Sequence, residues 1–407
     1  MERSERKERV MTGRVNSLNL FRLLMVTAIG IMTVSCGPKA QQPLSRLDTP
    51  EHHTVTGIRL LDQEKYADAG RAFALALRLD PLFAKASAGA GLVKAYQGNL
   101  TDAQELLQQA ERQARSDEEK VFVLGGKIRI NTLIHTACLR AGSGCTPDDA
   151  WLKSSREAFN RALLLDPKAA DAYYLMGEAY LAAMDLERAG RMFSRVLDLN
   201  ATYLAEADSR WKLVQKIQRA KPSTMTGRKI ALVERITRAD AAALFIEELQ
   251  LEAVNALRKP RIDATLRDAE TGRASVRPSS ATDIADHPFR ADIEGIIRIG
   301  TRGLEVYPDG TFRPDEQVDR ASYAVMIEDI LIKITGDRSL ETRFVGSPSP
   351  FPDLRADLPY FNAVMVVTSR GIMAARNMVT GEFAPLQPVA GADALLVIRR
   401  IREGLRH

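Results

Sequence analysis

Apolar positions along the chain fall into successive patterns with different periods. The first is a compact run, Leu23 to Val34, behind the positive charges of Arg14 and Arg22 and ahead of small Ser35 and Cys36. Roughly twelve residues are too few to span a bilayer but suit the apolar core of an export signal. From residue 50 to about 219 the chain is Ala- and Leu-rich with helical spacing, and the pattern repeats every 34 residues. Gly57, Ala69, Phe73 and Ala76 return as Gly91, Ala103, Leu107 and Ala110, and later as Gly177, Ala189, Phe193 and Val196. Phe159, Ala162 and Pro167 close a further unit, while Pro81 and Pro167 end helices by withholding a backbone donor. Past Ser223 this period is lost. The string Tyr307-Pro308-Asp309-Gly310-Thr311-Phe312-Arg313-Pro314 returns 71 residues later as Met378 to Pro385. Amphipathic helices are expected over Ala241–Leu251, Tyr323–Ile334 and Ala394–Ile401.

The 34-residue layout over residues 50–219 resembles the tetratricopeptide (TPR) repeat, whose helical hairpins stack into a superhelix with a concave face. That resemblance implies a groove lined by Thr54, Ile58, Leu61 and Asp62 in the first unit. Ala88, Leu92 and Tyr96 follow in the second, and Tyr174, Glu178 and Leu181 in the last. A peptide or protein segment is the ligand such a groove implies; the alternative is an array acting only as a spacer. Residues 117–149 read as an insertion that lengthens a helix, so that the first helix of the third unit follows it.

The C-terminal pattern has its own local chemistry. Pro-Asp-Gly is a turn, with Pro fixing φ and Gly tolerating positive φ. Thr237 and Asp319 are placed to cap the helices that follow, and Arg238 and Arg320 sit in their first turns. A cation there opposes the helix dipole, which points to a task elsewhere: holding an anion, or simply pairing with a local acid at the surface. The pattern resembles the S-layer homology (SLH) repeat, with copies at about 223–255, 283–335 and 351–403 of a 223–407 domain. The resemblance implies a three-fold pseudo-symmetric helical domain whose grooves bind cell-wall polysaccharide or peptidoglycan. Arg238, Asp240, Asp309, Gly310 and Arg320 are the glycan-binding residues it implies. The third copy has Gly391 in place of the arginine, so its groove is expected to lack the anion contact. Pro288 and Phe289 replace the usual aromatic after His287, and Ser322 replaces the acid after Arg-Ala.

Cysteines and composition then narrow the address and the activity. Thr33-Val34-Ser35-Cys36 resembles a bacterial lipobox, which implies cleavage of residues 1–35 and lipidation of Cys36. A linker over 36–49 then leads to the repeats, and Gly37 implies an outer-membrane destination facing the periplasm. Cys138 and Cys145 flank a Gly-Ser-Gly turn, and an oxidising compartment favours a disulfide between them; the alternative is two free buried thiols. The chain carries a net charge of +5, and without residues 1–35 its 51 basic residues face 49 acidic ones. No basic run with interleaved aromatics supports nucleic-acid binding. The five histidines show no metal-ligand spacing, and there is neither a phosphate-binding loop nor a nucleophile elbow. No cofactor, metal or catalytic residue is expected.

The fold class expected is mainly α, a TPR-like α-solenoid followed by the SLH-like domain. The expected function is a lipid-anchored envelope adaptor, not an enzyme. The competing expectation is a protein-interaction scaffold, or a secretion or assembly accessory lipoprotein, whose SLH-like domain no longer binds glycan.

Overall fold

The computed structural model describes residues 40–43, 45, 48–141, 149–253 and 281–404. Cys36 and the lipobox-like segment lie outside them, as does Cys145. The fold is mainly α, and the chain divides into two compact units that meet in sequence at Ala179 and Tyr180.

The first unit contains α1 (Pro50–Asp62), α2 (Tyr66–Leu79), α3 (Ala84–Tyr96), α4 (Leu100–Gln113), α5 (Asp117–Ala141) and α6 (Ala150–Leu165). It ends within α7 (Ala170–Ala182). Successive helices fold back on one another as hairpins, α1 on α2, α3 on α4 and α5 on α6. Local chemistry starts them. The Thr49 side chain accepts the His52 amide at 3.1 Å with Pro50 in the first turn, and Asn99 caps α4 through the Asp102 amide. Such caps contribute about 1 kcal/mol each. The ring of Phe73, fully buried, fills the space that Gly57 and Gly89 leave open on either side of it.

One expectation changes here. The 25 residues Asp117–Ala141 are not an addition placed before the third hairpin; they are its first helix. Gly125 stands 34 residues after Gly91, and the Cβ it lacks would lie 3.2 Å from Leu175. The extra length is at the C-terminal end of α5. Cys138 is disulfide-bonded there.

The second unit begins earlier than the expected start at 223. It takes in α8 (Leu186–Leu199) and α9 (Leu204–Ala220), and α9 packs along the last helix of the chain. Lys216 pairs with Asp393 at 2.8 Å, the Arg399 guanidinium donates to the Arg219 carbonyl, and Ile217 and Ala220 enter the core. Then follow α10 (Met225–Ile230), α11 (Arg238–Ala243) running into a π-helical turn at Leu244–Glu248, α12 (Arg290–Ile299), α13 (Arg320–Thr335), α14 (Phe361–Ser369) and α15 (Gly391–Gly404).

Three short backbone segments meet at the centre and show the pseudo-symmetry directly. The Ile236 amide donates to the Val389 carbonyl at 2.9 Å, Val318 donates to Ile236 at 3.0 Å, and Val389 donates to Val318 at 3.0 Å. This closed triangle is buried, so each polar group needs the partner it finds. Two residues beyond each corner a helix begins, at Arg238, Arg320 and Gly391.

The entry to this unit is pinned by a buried carboxylate. Glu248 accepts the amides of Ser223 and Thr224 and both their hydroxyls, at 2.6–3.0 Å, with Arg402 at 3.5 Å. Burial pushes the Glu248 carboxyl up, but the hydrogen bonds from Ser223 and Thr224 outweigh it, and the net shift is downward from 4.5. A depressed carboxylate contributes stability above its unfolded pKa and loses it as pH falls through the folded one. Urea unfolding should therefore show stability declining below pH 4.5, by at most about 1.4 kcal/mol per pH unit for this group. Glu248→Gln should flatten that decline; an unchanged pH profile would remove Glu248 from the account.

Candidate functional site

The two arginines singled out by their awkward position at helix starts have a definite destination. Each reaches from the start of one copy's helix into the turn of the next copy. The Arg238 guanidinium donates from Nε to the Phe312 carbonyl (2.8 Å), from Nη1 to Gly303 (2.6 Å) and from Nη2 to Glu305 (2.8 Å). Arg320, 82 residues after Arg238, repeats the arrangement, donating from Nε to Phe383 (2.8 Å) and from Nη2 to Ala374 (2.6 Å). Both residues are buried, at 7% and 9% exposure, and stack on the phenylalanine whose carbonyl they hold, 4.7 Å from Phe312 and 4.5 Å from Phe383. Burial lowers both arginines below their ordinary value.

The expectation of a surface arginine with a local acidic partner is thus corrected. The cation is satisfied mainly by carbonyl dipoles, a use that requires planar, multiply directed donors. The signal that was available in the sequence is the constant pairing of Arg-Ala in one copy with a turn phenylalanine in the next.

The turns themselves are built alike. The Asp283 carboxylate accepts the amides of Phe312 (2.7 Å) and Arg313 (2.8 Å), and Asp353 accepts those of Phe383 (2.9 Å) and Ala384 (2.6 Å). Arg313 and Ala384 share a left-handed φ of 56° and 57°. Gly310, at φ 83°, supplies the conformation that a Cβ disfavours.

Between each arginine and its turn lies an open groove. The first encloses about 330 Å³ and is lined by Arg238, Glu305, Tyr307, Glu316 and apolar residues of α13. The second encloses about 160 Å³, with Arg320, Arg376, Asp393 and Arg400 on its walls. Arg238 and Arg320 are therefore brought into grooves, whereas Asp240, Asp309 and Gly310 are not. Asp240 completes the capping box of α11, accepting the Thr237 amide at 2.9 Å. Asp309 is held down to about 2 by the hydroxyl and amide of Thr311 and by Arg313, and serves its own turn. Glu305, Glu316, Arg376 and Arg400 escaped the sequence reading, and Tyr307 entered it only as part of the repeated turn; none of them stands at a helix start, the position that marked the two arginines.

At the third helix start, Gly391 has a steric cause. Its amide donates to the Val233 carbonyl at 2.9 Å, and the Cβ it lacks would fall on the Ile230 carbonyl oxygen. Backbone occupies the place where the other copies have an arginine and an aromatic turn.

In the first unit the expected groove residues separate. Thr54 and Leu92 are buried, as are Leu61 and Ala88, because α3 is flanked by both α1 and α5 and its inner face is covered. Ile58, Tyr174 and Glu178 are half-buried. Asp62 and Tyr96 are joined by Arg129 of α5, which donates to the carboxylate at 3.0 Å and to the phenol at 2.9 Å, with Tyr66 stacked on Tyr96. That network links three successive hairpins. Among the described residues, no cluster of three metal-ligating side chains occurs, and no helix is long and apolar enough to cross a membrane.

Residues 304–324 match the family model of the S-layer homology domain. The match spans the turn of the middle copy and the first turn of α13, the segment that forms one wall of the first groove. It indicates association with the cell envelope. No curated protein matches the chain.

Proposed function

We propose that the chain is a non-catalytic, lipid-anchored envelope adaptor: Cys36 carries the lipid and tethers the chain to the outer membrane, facing the periplasm. The hairpins of the first unit are TPR-like and hold a protein or peptide segment, and the C-terminal unit holds cell-wall polysaccharide or peptidoglycan. The observation that carries the wall-binding part is the pair of like-built grooves beside Arg238 and Arg320, one of them within the S-layer homology segment. Each groove combines an arginine, further polar side chains and apolar walls, the mixture that sugar rings and their substituents require.

The purified chain should sediment with isolated cell-wall sacculi, and solubilised wall polymer should compete it off. Failure to sediment with any sacculus preparation sinks the wall-binding part. One observation favours a second reading, a scaffold whose grooves no longer bind glycan: the arginines already spend several donors on carbonyls. The same sedimentation decides between them. Lipidation is checked separately, since radiolabelled palmitate should enter the chain in cells and disappear with Cys36→Ala. Label that persists in the variant rules out Cys36 as the attachment point.

A further inference from the structure

The turn of the third copy keeps the frame of the middle one and sheds its charge. Gly310 and Gly381 share a left-handed φ, 83° and 74°, and the Asp283 and Asp353 carboxylates hold matching amides just beyond them. The Arg238 amide donates to the Glu316 carbonyl as the Arg320 amide does to that of Gln387, both at 2.9 Å. Residues 309–316 and 380–387 are thus equivalent in space. Asp309, Arg313, Asp315 and Glu316 of the middle turn are Thr380, Ala384, Leu386 and Gln387 in the third, and Glu382 is the one charge in that stretch. Ahead of the glycine the two turns differ. The middle one closes from the Tyr307 amide to the Thr311 carbonyl, whereas the Asn377 amide reaches across one residue more, to the Glu382 carbonyl.

This wider tip displays its apolar side chains. Met378 is 81% exposed and Val379 95%, and Leu386 follows at 75%. A single exposed aliphatic residue is ordinary on a protein surface; three within one turn are not. The backbone beneath them is satisfied from within. Asn377 Oδ1 accepts the amides of Val379 (2.9 Å) and Thr380 (3.2 Å), the Asn377 carbonyl accepts that of Gly381 (2.9 Å), and the Thr380 hydroxyl donates to Glu382 (2.9 Å). A segment built this way presents hydrocarbon without unpaired amides, which is what entry into an apolar medium demands. A protein partner is a poorer match, because a protruding tip of this size falls far below the roughly 800 Å² per partner of a stable protein interface.

We propose that this tip is a bilayer contact: Met378 and Val379 enter the interfacial region of a phospholipid surface, with Leu386 at the edge of the contact. A few aliphatic side chains supply less apolar surface than one acyl chain, so the contact is weak by itself and sets orientation rather than attachment. A chain held close to a membrane by other means turns this edge of its third copy toward the lipid. The contact uses neither groove, so it goes beyond the wall-binding reading and stands without it.

The test is titration of Val379→Trp, in the full chain, with vesicles of phosphatidylethanolamine and phosphatidylglycerol. Emission from Trp151 and Trp211 is subtracted with the wild type. The introduced indole should shift to shorter wavelength, and bromine on the lipid acyl chains should quench it. Asp315→Trp, at the counterpart of Leu386 in the middle turn, should show neither change. Adding Met378→Asp to Val379→Trp should raise the lipid concentration at half-response about tenfold, as expected for replacing one inserted aliphatic side chain by a charge. The substituted side chains are exposed, so the variants keep the fold. Val379→Trp emission that stays aqueous at every lipid concentration overturns the proposal, as does an equal response from Asp315→Trp. If Val379→Asp instead turns a dimer into a monomer in sedimentation velocity and Val379→Trp ignores lipid, the tip joins two copies and the lipid assignment falls. Sacculus sedimentation and palmitate labelling are read separately, so either failure leaves wall binding and Cys36 lipidation where those assays put them.

Discussion

Arg238→Ala is expected to unfold the C-terminal unit at markedly lower denaturant than the wild type. Truncation removes three hydrogen bonds at once and leaves the carbonyls of Phe312, Gly303 and Glu305 facing a cavity. It also removes the cation that lies between the rings of Phe312 and Tyr307, 4.7 and 4.9 Å from their centres. Unsatisfied buried groups cost about 1–3 kcal/mol each, and loss of a partner from a buried charged network about 3–5 kcal/mol in all. A destabilisation of about 3–5 kcal/mol is expected for Arg238→Ala, measured by urea unfolding followed by circular dichroism. Arg320→Ala, which releases the two carbonyls of Phe383 and Ala374, should lie below it. A loss under 1 kcal/mol for Arg238→Ala would show that the guanidinium is replaceable by water, and free it for a ligand. These variants are poor probes of glycan binding, because lost retention on a wall would also follow from lost structure.

Gly391→Ala is expected to be at least as damaging, for a different reason. The new methyl would coincide with the Ile230 carbonyl oxygen and stand 2.7 Å from its carbon, so neither a rotamer nor a small shift relieves it. The contact is with backbone, and moving it breaks the hydrogen bond from the Gly391 amide to Val233 beside the central triangle. Overpacking of a rigid site costs about 1–3 kcal/mol where side chains yield, and more where only backbone is available. Thermal unfolding of Gly391→Ala should show a large drop in midpoint or no folded C-terminal unit. Gly391→Arg, made to restore the repeat motif, should be worse. A midpoint equal to the wild type would mean that α10 moves away freely.

Much of this architecture is legible in the sequence. Hairpins follow from a 34-residue period, because glycine, alanine and phenylalanine recur where helices approach and where a ring fills the gap. The third hairpin is harder to see: Gly125 keeps the register, but α5 runs on for 25 residues, and that length reads as an addition. Assignment of α8 and α9 to the second unit is invisible to a period, since it depends on which surface Ile217 and Ala220 meet. At the candidate site, the dipole argument correctly marks Arg238 and Arg320 as residues with work elsewhere. It does not say where, because the destination is the turn of the following copy. Gly391 reads as a lost ligand contact in sequence and as an occupied volume in space.

The central triangle also sets an order of events. Ile236, Val318 and Val389 each wait for another corner, and the last bond joins the earliest corner to the latest. Non-local closure of this kind is slow, since chain must be brought together before contacts reward it. A ribosome or a secretion channel delivers Ile236 long before Val389. Until the later segment arrives, the triangle that α11 and α13 pack around is incomplete. The ring therefore stays open for as long as its last corner has yet to arrive.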